Sequence, residues 1–199
     1  MKKTLVMLFF ASAFAVAQGY KVGDRVSNFT LKNVDGKMVS LSDYQTSKGV
    51  IVIFTCNTCP YAQAYEQRII DLDKKFKSTG YPVVAINPND PDRQPGDSFE
   101  AMVERAKKFG YSFPYVQDES QAVATAFGAS RTPHVYLLER KGNVFEVAYI
   151  GAIDDNTENA AAAKNRFVES AIQALDSGKR PDVTSTKAIG CTIKWKKTS

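Results

Sequence analysis

The sequence predicts an α/β fold with a mixed central β-sheet flanked by helices, and three patterns carry that prediction. Residues 50–54 form an uninterrupted apolar run of mostly β-branched side chains, which is typical of a strand covered on both faces. Beyond Pro60, apolar residues recur every three or four positions up to Gly80, as they do on one face of a helix. Strand-like and helix-like segments alternate along the rest of the chain, as in layered α/β domains.

The predicted sheet begins with a short β-hairpin. Two strand-like segments, 29–31 and 38–41, flank Asp35 and Gly36, a pair that tolerates the positive φ angles of a tight turn. Because this hairpin precedes the central strand, we expect the folded domain to start with two antiparallel strands.

The later elements follow from the same periodicities and from turn-forming residues. A second buried strand is predicted over 82–86, and the Pro, Asp and Asn content of 87–97 indicates a surface loop. The helix that follows, from Ser98 to Phe109, is a helical segment inserted between strands. The remaining predicted elements are a strand at 115–116, a helix over 120–127, antiparallel strands over 135–138 and 144–149, and a helix over 157–176 that Gly178 ends.

The first 17 residues have the pattern of a cleaved signal peptide. Two lysines precede an apolar stretch, and residues 15–17, Ala-Val-Ala, fit the small-x-small site of a signal peptidase. An uncleaved membrane anchor is the alternative, but Thr4 to Ala17 spans only 14 residues. An apolar helix needs roughly 20 residues to cross a bilayer. We therefore expect an exported protein, periplasmic or otherwise extracytoplasmic.

One domain over 18–180 and a tail over 181–199 are predicted to account for the rest of the chain. With 199 residues and a hydrophobic content of 44%, the chain is long enough for one core. Lys and Arg number 26 against 21 Asp and Glu, and removal of the two lysines in the signal peptide leaves 24 against 21. That small excess of positive charge does not indicate nucleic-acid binding.

Three cysteines are the candidate reactive residues: Cys56, Cys59 and Cys191. The first two form a Cys-x-x-Cys motif between the central strand and the helix that starts at Pro60. A disulfide across so few residues removes little entropy from the unfolded chain, so the pair suits redox chemistry better than stabilisation. The positive end of the helix dipole favours a thiolate over a thiol, which predicts a lowered pKa for Cys56.

In this interpretation Cys56 is the attacking thiol and Cys59 the resolving one. Cys56 would form a mixed disulfide with a partner, and Cys59 would then attack Cys56 and release the reduced partner. An inert disulfide and a metal site are the alternatives. A closed zinc site needs two further ligands, and only Cys191 and the single histidine, His134, are available.

Thr132 and Pro133 form the second candidate element of the site, as substrate-binding residues. A proline just before the strand-like segment 135–138 suits the first position of a strand, where its missing N–H is harmless. A cis peptide beside the sulfurs is the other interpretation, and it would expose the Thr132 backbone to pair with an extended substrate. His134, the next residue, is interpreted as a hydrogen-bonded side chain rather than a proton shuttle.

Together these residues resemble the exported thioredoxin-like and peroxiredoxin-like proteins of the redoxin (AhpC/TSA-type) superfamily. The resemblance spans residues 22–178, and the hairpin, the apolar strand, the Cys-Asn-Thr-Cys-Pro motif at 56–60 and the later Thr-Pro pair carry it. It implies a thioredoxin fold. It also implies that Cys56 is the attacking cysteine, Cys59 the resolving one, and Pro133 a cis-proline beside them.

The motif departs from the pattern of thioredoxins. Those proteins usually carry Trp before the first cysteine and Gly-Pro between the pair, whereas Thr55, Asn57 and Thr58 occupy these positions here. The strand over 50–54 also lacks the buried acid of thioredoxin, so a proton from Cys59 must pass to water or to another group. Redox potential and partner choice therefore cannot be transferred.

Peroxiredoxins offer a second comparison. They place a Thr three residues before the peroxide-attacking cysteine, and that spacing puts Cys56 at the Thr position and Cys59 at the peroxidatic position. A peroxidatic thiolate also needs a nearby cation, for which Arg131 is the candidate by its place in the sequence. The plain interpretation of Arg131 is a solvated residue at the edge of a strand.

Cys191 follows Gly190 in a short apolar patch of the tail. The plain interpretation is that Ile193 and Trp195 attach the tail to the domain and that Cys191 is simply buried. The alternative is that the tail folds back and Cys191 exchanges with the disulfide of the motif, which would make it an additional redox residue.

The sequence therefore predicts a thiol-disulfide oxidoreductase that acts on protein or small-molecule disulfides and needs an external thiol electron donor. We expect a monomer without bound organic cofactor or metal, and without stable membrane insertion once the signal is cleaved. A peroxiredoxin-like thiol peroxidase is the first alternative. The second is a non-catalytic binding domain with a static disulfide, which predicts a reduction potential below about −300 mV.

Overall fold

A computed structural model describes residues 19–197 of the chain. The predicted signal peptide over 1–17 lies outside these residues. Between residues 19 and 197, no helix combines the length and the apolar character needed to cross a membrane.

Ten strands and four α-helices are present among the described residues. The strands are β1 (Arg25–Val26), β2 (Thr30–Asn33), β3 (Met38–Ser40), β4 (Gly49–Phe54), β5 (Val83–Asn87), β6 (Tyr115–Gln117), β7 (Arg131–Thr132), β8 (His134–Lys141), β9 (Val144–Gly151) and β10 (Cys191–Thr192). The α-helices are α1 (Pro60–Phe76), α2 (Phe99–Phe109), α3 (Ala122–Phe127) and α4 (Phe167–Asp176).

Eight of the strands form one mixed sheet in the order β1-β9-β8-β4-β5-β6-β2-β3. β4, β5 and β6 run parallel to one another, whereas β8 is antiparallel to β4 on its other side. The N-terminal hairpin is the pairing of β2 with β3, in which Thr30 lies opposite Ser40. The predicted mixed sheet with flanking helices and an N-terminal hairpin is thus confirmed.

Strand β4 lies at the centre of this sheet and is buried along its whole length. Ile51 and Ile53 face a core that includes side chains of α1 and α4. Val52 and Phe54 face the opposite core, which includes Phe127 of α3. Because both faces are covered, β4 holds the residues that follow it in a well-defined place.

Helix α1 positions the second cysteine of the motif. Cys59 is its N-cap residue, and Pro60 occupies the first helical position, where a missing N–H costs nothing. The predicted apolar stripe is buried along the helix: Ala62, Tyr65, Ile69, Leu72 and Phe76.

The last helix begins at Phe167, so the predicted start at 157 is wrong. The carboxylate of Asp155 accepts hydrogen bonds from the backbone N–H groups of Lys164 (2.9 Å) and Asn165 (3.1 Å). These bonds offer the backbone an alternative to helical pairing and favour turns in this segment.

The predicted surface loop over 87–97 is wrong for residues 87–90 and for Asp97, which are buried. Asn89 and Asp90 are both buried. The tail covers them, because the N–H of Asp90 donates to the carbonyl of Lys194 and the N–H of Lys194 donates to the Asn89 side chain, each at 2.9 Å. Polar composition predicts a loop, but it does not indicate that the C-terminal tail packs over that loop.

The tail packs against the domain in the way that its apolar residues predict. Ile193 is buried in the same core as Phe54 and Phe127, and Trp195 packs against that core. Just before them, β10 pairs with β7 as a separate two-stranded sheet. The tail is therefore part of the folded structure, and its strand β10 lies close to the Cys-x-x-Cys motif.

Candidate active site

The three cysteines meet at the junction of β4 and α1. Cys56 lies two residues beyond β4, Cys59 caps α1, and each is only 4% exposed. Cys191 packs against the small cluster that these two cysteines form with Ala62. The fold thus brings together thiols that are as much as 135 positions apart in the sequence, from 56 to 191.

The peptide bond between Thr132 and Pro133 is cis, which confirms the cis interpretation of this pair. The hydroxyl oxygen of Thr132 lies 3.2 Å from Cys56 Sγ, and the carbonyl oxygen of Thr132 lies 3.2 Å from Cys59 Sγ. Thr132 is itself fully buried. One residue at the junction of β7 and β8 therefore contacts both sulfurs of the motif.

The disulfide in this structure joins Cys59 to Cys191 and leaves Cys56 as a free, buried thiol. The Cα atoms of the bonded pair are 5.9 Å apart, and the N–H of Cys191 lies 3.4 Å from Cys59 Sγ. The bond expected between Cys56 and Cys59 is not the one formed here, because β10 brings Cys191 next to Cys59. The attacking and resolving roles of Cys56 and Cys59 stay predictions.

A buried carboxylate, that of Asp97, supports the two residues between the cysteines of the motif. Its Oδ1 accepts the backbone N–H of Asn57 at 2.6 Å, and its Oδ2 accepts the Thr58 hydroxyl at 2.8 Å and the Asn89 amide at 2.7 Å. Asp97 is 0% exposed, so these donors rather than water balance its charge. No sequence pattern points to this residue, which lies 40 positions beyond Asn57 in a segment without regular spacing.

Asn57 has further hydrogen bonds on both its backbone and its side chain. Its side-chain N–H group donates to the carbonyl of Gly96 at 2.9 Å, and its side-chain oxygen accepts the Tyr115 hydroxyl at 2.9 Å. Its carbonyl oxygen accepts the Gln63 amide at 2.7 Å. The loop between the two cysteines is therefore held in one arrangement before any partner binds.

The pKa of Cys56 is raised above its ordinary value, first by burial of the thiol and second by the negative charge of Asp97. The hydrogen bond with the Thr132 hydroxyl acts in the opposite direction but is outweighed. The lowered pKa predicted from the helix start is wrong for this form of the protein. The helix begins only after Cys59, and desolvation of the buried sulfur dominates.

Arg131, the candidate cation for a peroxidatic thiolate, is bound to the tail. Its guanidinium Nη1 donates to the carbonyl of Gly190 at 2.9 Å. This contact steadies the strand that carries Cys191. Across residues 19–197, no three His, Cys, Asp or Glu side chains cluster in a way that could hold a metal ion.

His134 begins β8 as a buried, neutral side chain. Its ring centre lies 4.8 Å from that of Tyr136, and its Nδ1 has no hydrogen-bond partner among the described residues. Burial, assisted by the positive charge of Arg131, lowers the pKa of His134 to about 4. The hydrogen-bonded side chain expected from sequence is therefore wrong at Nδ1.

We expect the protein to lose stability between pH 6.5 and pH 4 because of His134. In the unfolded chain the imidazole takes up a proton near pH 6.5, whereas in the folded protein it resists protonation down to about pH 4. The contribution present above this window is lost as the pH falls through it, about 3 kcal/mol in all. Urea unfolding at pH 6.5 and at pH 4 measures this loss in the free energy of unfolding. The His134→Phe variant should lose less between the two pH values. An equal loss in both proteins would contradict the assignment.

Comparison with known proteins adds a family and a relative of named activity. Residues 22–147 match the model of the AhpC/TSA family. The thiol-disulfide oxidoreductase ResA of Bacillus subtilis is 30% identical to this chain over 138 residues, which cover 69% of this chain and 73% of ResA.

Solved structures with the same architecture include an uncharacterized conserved protein of Geobacillus kaustophilus. It has a TM-score of 0.83 and 33% identity, and the match covers 90% of this chain and 94% of that one. An exposed lipoprotein thioredoxin of Streptococcus pneumoniae matches with a TM-score of 0.51 and 23% identity, over 61% of this chain and 87% of that one. The thioredoxin fold implied by the motifs is thus confirmed.

Proposed function

Because this chain belongs to the AhpC/TSA family, we propose that it is a thiol-disulfide oxidoreductase that works through Cys56 and Cys59. Its similarity to ResA, a protein named for that activity, supports the proposal. The observation that carries it is the contact of Thr132, next to its cis peptide bond with Pro133, with both sulfurs of the motif.

In the proposed reaction the Cys56 thiolate attacks one sulfur of a partner disulfide. A mixed disulfide forms, and the second sulfur of the partner leaves as a thiolate. The Cys59 thiolate then attacks Cys56, which closes the disulfide of the motif and releases the partner with two thiols. The partner gains two electrons, the protein loses two, and an external thiol donor restores the protein by the same exchange in reverse.

The residues around the sulfurs have distinct parts in this proposal. The Thr132 hydroxyl supports the thiolate of Cys56 by hydrogen bonding. The Thr132 backbone and Pro133 form the surface on which a substrate segment binds. Asp97 holds Asn57 and Thr58, so that the sulfurs keep their relative positions during exchange.

Export of the protein and the nature of its partners belong to the same proposal. The signal-like residues 1–17 support an extracytoplasmic location, and an intramolecular disulfide suits an oxidising compartment. Partners in that compartment would be disulfides of proteins or small molecules and a thiol donor, and the enzyme would act as a monomer. Mass spectrometry of the protein from its host should find the N terminus at Gln18, and an N terminus at Met1 would contradict export with cleavage.

The reduction potential of the motif tests the proposed activity. The variant Cys191→Ser removes the competing bond, so its titration reports on Cys56 and Cys59 alone. Equilibration with a glutathione or dithiothreitol series should give a value between about −120 and −270 mV, the range of exchange catalysts. A value below about −300 mV would instead indicate the static disulfide of a binding domain.

A thiol peroxidase is the second candidate function, and the bond between Cys59 and Cys191 favours it. The Cys59 thiolate would attack a peroxide oxygen, giving a sulfenic acid and one water or alcohol; Cys191 would then displace water and close the disulfide. Hydrogen peroxide consumption by the reduced protein tests this candidate. Fast turnover that both Cys59→Ser and Cys191→Ser abolish would support it, and turnover no faster than that of free cysteine would reject it.

A further inference from the structure

The edge of strand β7 is occupied by the chain's own tail. β10 pairs antiparallel with β7, so that Cys191 lies opposite Thr132 and Thr192 opposite Arg131. In the part of the chain that the structure describes, β7 has no other strand partner. The extended tail therefore lies on the backbone beside the cis peptide and both sulfurs of the motif.

The close approach of Gly190 shows how tightly this strand is seated. A β-carbon added to Gly190 would lie 2.1 Å from the carbonyl oxygen of Thr132 and 3.0 Å from the backbone nitrogen of Pro133. Both contacts are with backbone atoms, which cannot move aside as a flexible side chain can, so only glycine fits this position. The contact of Arg131 with the Gly190 carbonyl adds a polar anchor at the same point.

Beyond β10, polar side chains of the domain bind the main chain of the tail. The Gln121 amide donates to the carbonyl of Lys194 at 2.9 Å and accepts the N–H of Lys196 at 2.8 Å. Arg93 Nη1 donates to the carbonyl of Trp195 at 2.9 Å. Recognition through main-chain atoms is what a surface for extended polypeptides requires, because it does not depend on particular side chains.

We propose that residues 190–193 form a built-in strand that occupies the substrate-pairing edge of the enzyme, with Cys191 bonded to the resolving Cys59 and the attacking Cys56 left as a free thiol. The proposal rests on the proposed exchange function and names its substrate class. That class is an extended polypeptide segment whose backbone pairs with β7 and whose cysteine follows a glycine. The oxidised protein at rest is closed on itself, as a disulfide between Cys59 and its own tail.

An internal exchange opens this closed form. The Cys56 thiolate attacks the sulfur of Cys59, a bond forms between these two residues, and Cys191 leaves as a thiolate that takes a proton from water. One disulfide replaces another, so no electrons enter or leave the protein. The tail is then held by noncovalent contacts alone, and a substrate strand competes with it for the β7 edge.

A disulfide map of the oxidised protein tests the proposal. After alkylation of free thiols and digestion, mass spectrometry should find Cys59 bonded to Cys191 and Cys56 alkylated. Gly190→Ala keeps all three thiols, but the added methyl group prevents β10 from packing against Thr132. The disulfide of this variant should therefore join Cys56 to Cys59. Ile189→Ala changes an exposed neighbour and should match the wild type. A bond between Cys56 and Cys59 in the wild type, or an unchanged map in Gly190→Ala, would overturn the proposal.

Reaction rates of the reduced proteins provide a second readout. One probe is a linear peptide whose single cysteine is joined to thionitrobenzoate, and the other is hydroxyethyl disulfide, which has no peptide backbone to pair with β7. The Gly190→Ala protein should reduce the peptide probe several-fold faster than the wild type does. Its rate with hydroxyethyl disulfide should rise by a smaller factor. No gain, or the same gain with both probes, would overturn the proposal.

Cys191→Ser guards against a folding defect in Gly190→Ala, since it removes the bond without filling the seat. Its map should show Cys56 bonded to Cys59, and two free thiols in this variant after oxidation would overturn the internal exchange. Failure of the proposed function looks different. In that case none of the proteins would react with either probe, whatever their disulfide maps. Such a result would overturn both the exchange function and the proposal that rests on it.

Discussion

Replacement of Cys59 by serine should lower turnover of a disulfide substrate by at least about a thousand-fold, because the second step of exchange then lacks its nucleophile. Cys56 could still attack a partner, so the partner should stay bonded to Cys56 as a mixed disulfide. Thionitrobenzoate release under turnover conditions measures the loss, and the mass of the intact protein shows the trapped adduct. The variant should also be unable to form the bond to Cys191.

The matched control is the same change at Cys56. Cys56→Ser should also lose turnover, but it should trap no partner, and it should keep the bond between Cys59 and Cys191 that the structure contains. The two serine variants thus separate the attacking role from the resolving one. A partner trapped on Cys59 in the Cys56 variant would reverse the proposed roles, and undiminished turnover in the Cys59 variant would contradict the mechanism.

Asp97→Asn should lower the free energy of unfolding by about 2 to 4 kcal/mol, because it leaves buried donors without an acceptor. The carboxylate accepts hydrogen bonds from Asn57, Thr58 and Asn89, and an amide in its place has one oxygen instead of two. The substituted NH₂ group would also face one of these donors. Urea denaturation, compared with the wild type in the same redox state, measures the loss.

The same substitution should lower the pKa of Cys56, since the charge of Asp97 contributes to raising it. Cys56 is the free thiol when Cys59 is bonded to Cys191, so the pH dependence of alkylation in the oxidised protein reports on its ionisation. Alkylation near neutral pH should therefore be faster in Asp97→Asn.

Asp118→Asn is the control for this pair of effects. Asp118 is as buried as Asp97, but its carboxylate accepts the N–H of Ala124 in α3, and no hydrogen bond among residues 19–197 joins it to the motif. This variant should lose stability while leaving the alkylation profile of Cys56 unchanged. The same profile shift in both variants, or none in Asp97→Asn, would count against an electrostatic role for Asp97.

The elements that can be predicted from the sequence are those whose own residue pattern indicates which of their faces are buried. β4 consists of side chains that are apolar without alternation, and α1 carries a stripe with helical spacing, so each pattern reports burial directly. The predicted start of α4 is wrong because the Asp155 carboxylate accepts hydrogen bonds from backbone N–H groups that the helix would otherwise use. Such local competition has no periodicity to reveal it.

The site was predictable only in part, because its contacts join distant segments. The motif and the Thr-Pro pair can be read from the sequence, and a cis peptide was one of two interpretations that the sequence allowed. The partner of Cys59 could not be read, since three cysteines allow several pairings and β7 and β10 are too short to show a strand pattern. Asp97 was hidden for a similar reason, in a loop whose composition indicates only turns.

The length of the loop closed by the tail has a consequence for the protein as a whole. The bond between Cys59 and Cys191 spans 132 positions, and a cross-link of that span restricts the unfolded chain by about 5 kcal/mol. The bond across the motif spans so few residues that it contributes only about 2 kcal/mol. The step that frees the tail therefore also removes a large part of the protein's protection against unfolding. The form with the bond between Cys59 and Cys191 is the more stable one. The form with the bond between Cys56 and Cys59 should unfold at a lower temperature and be digested faster by proteases.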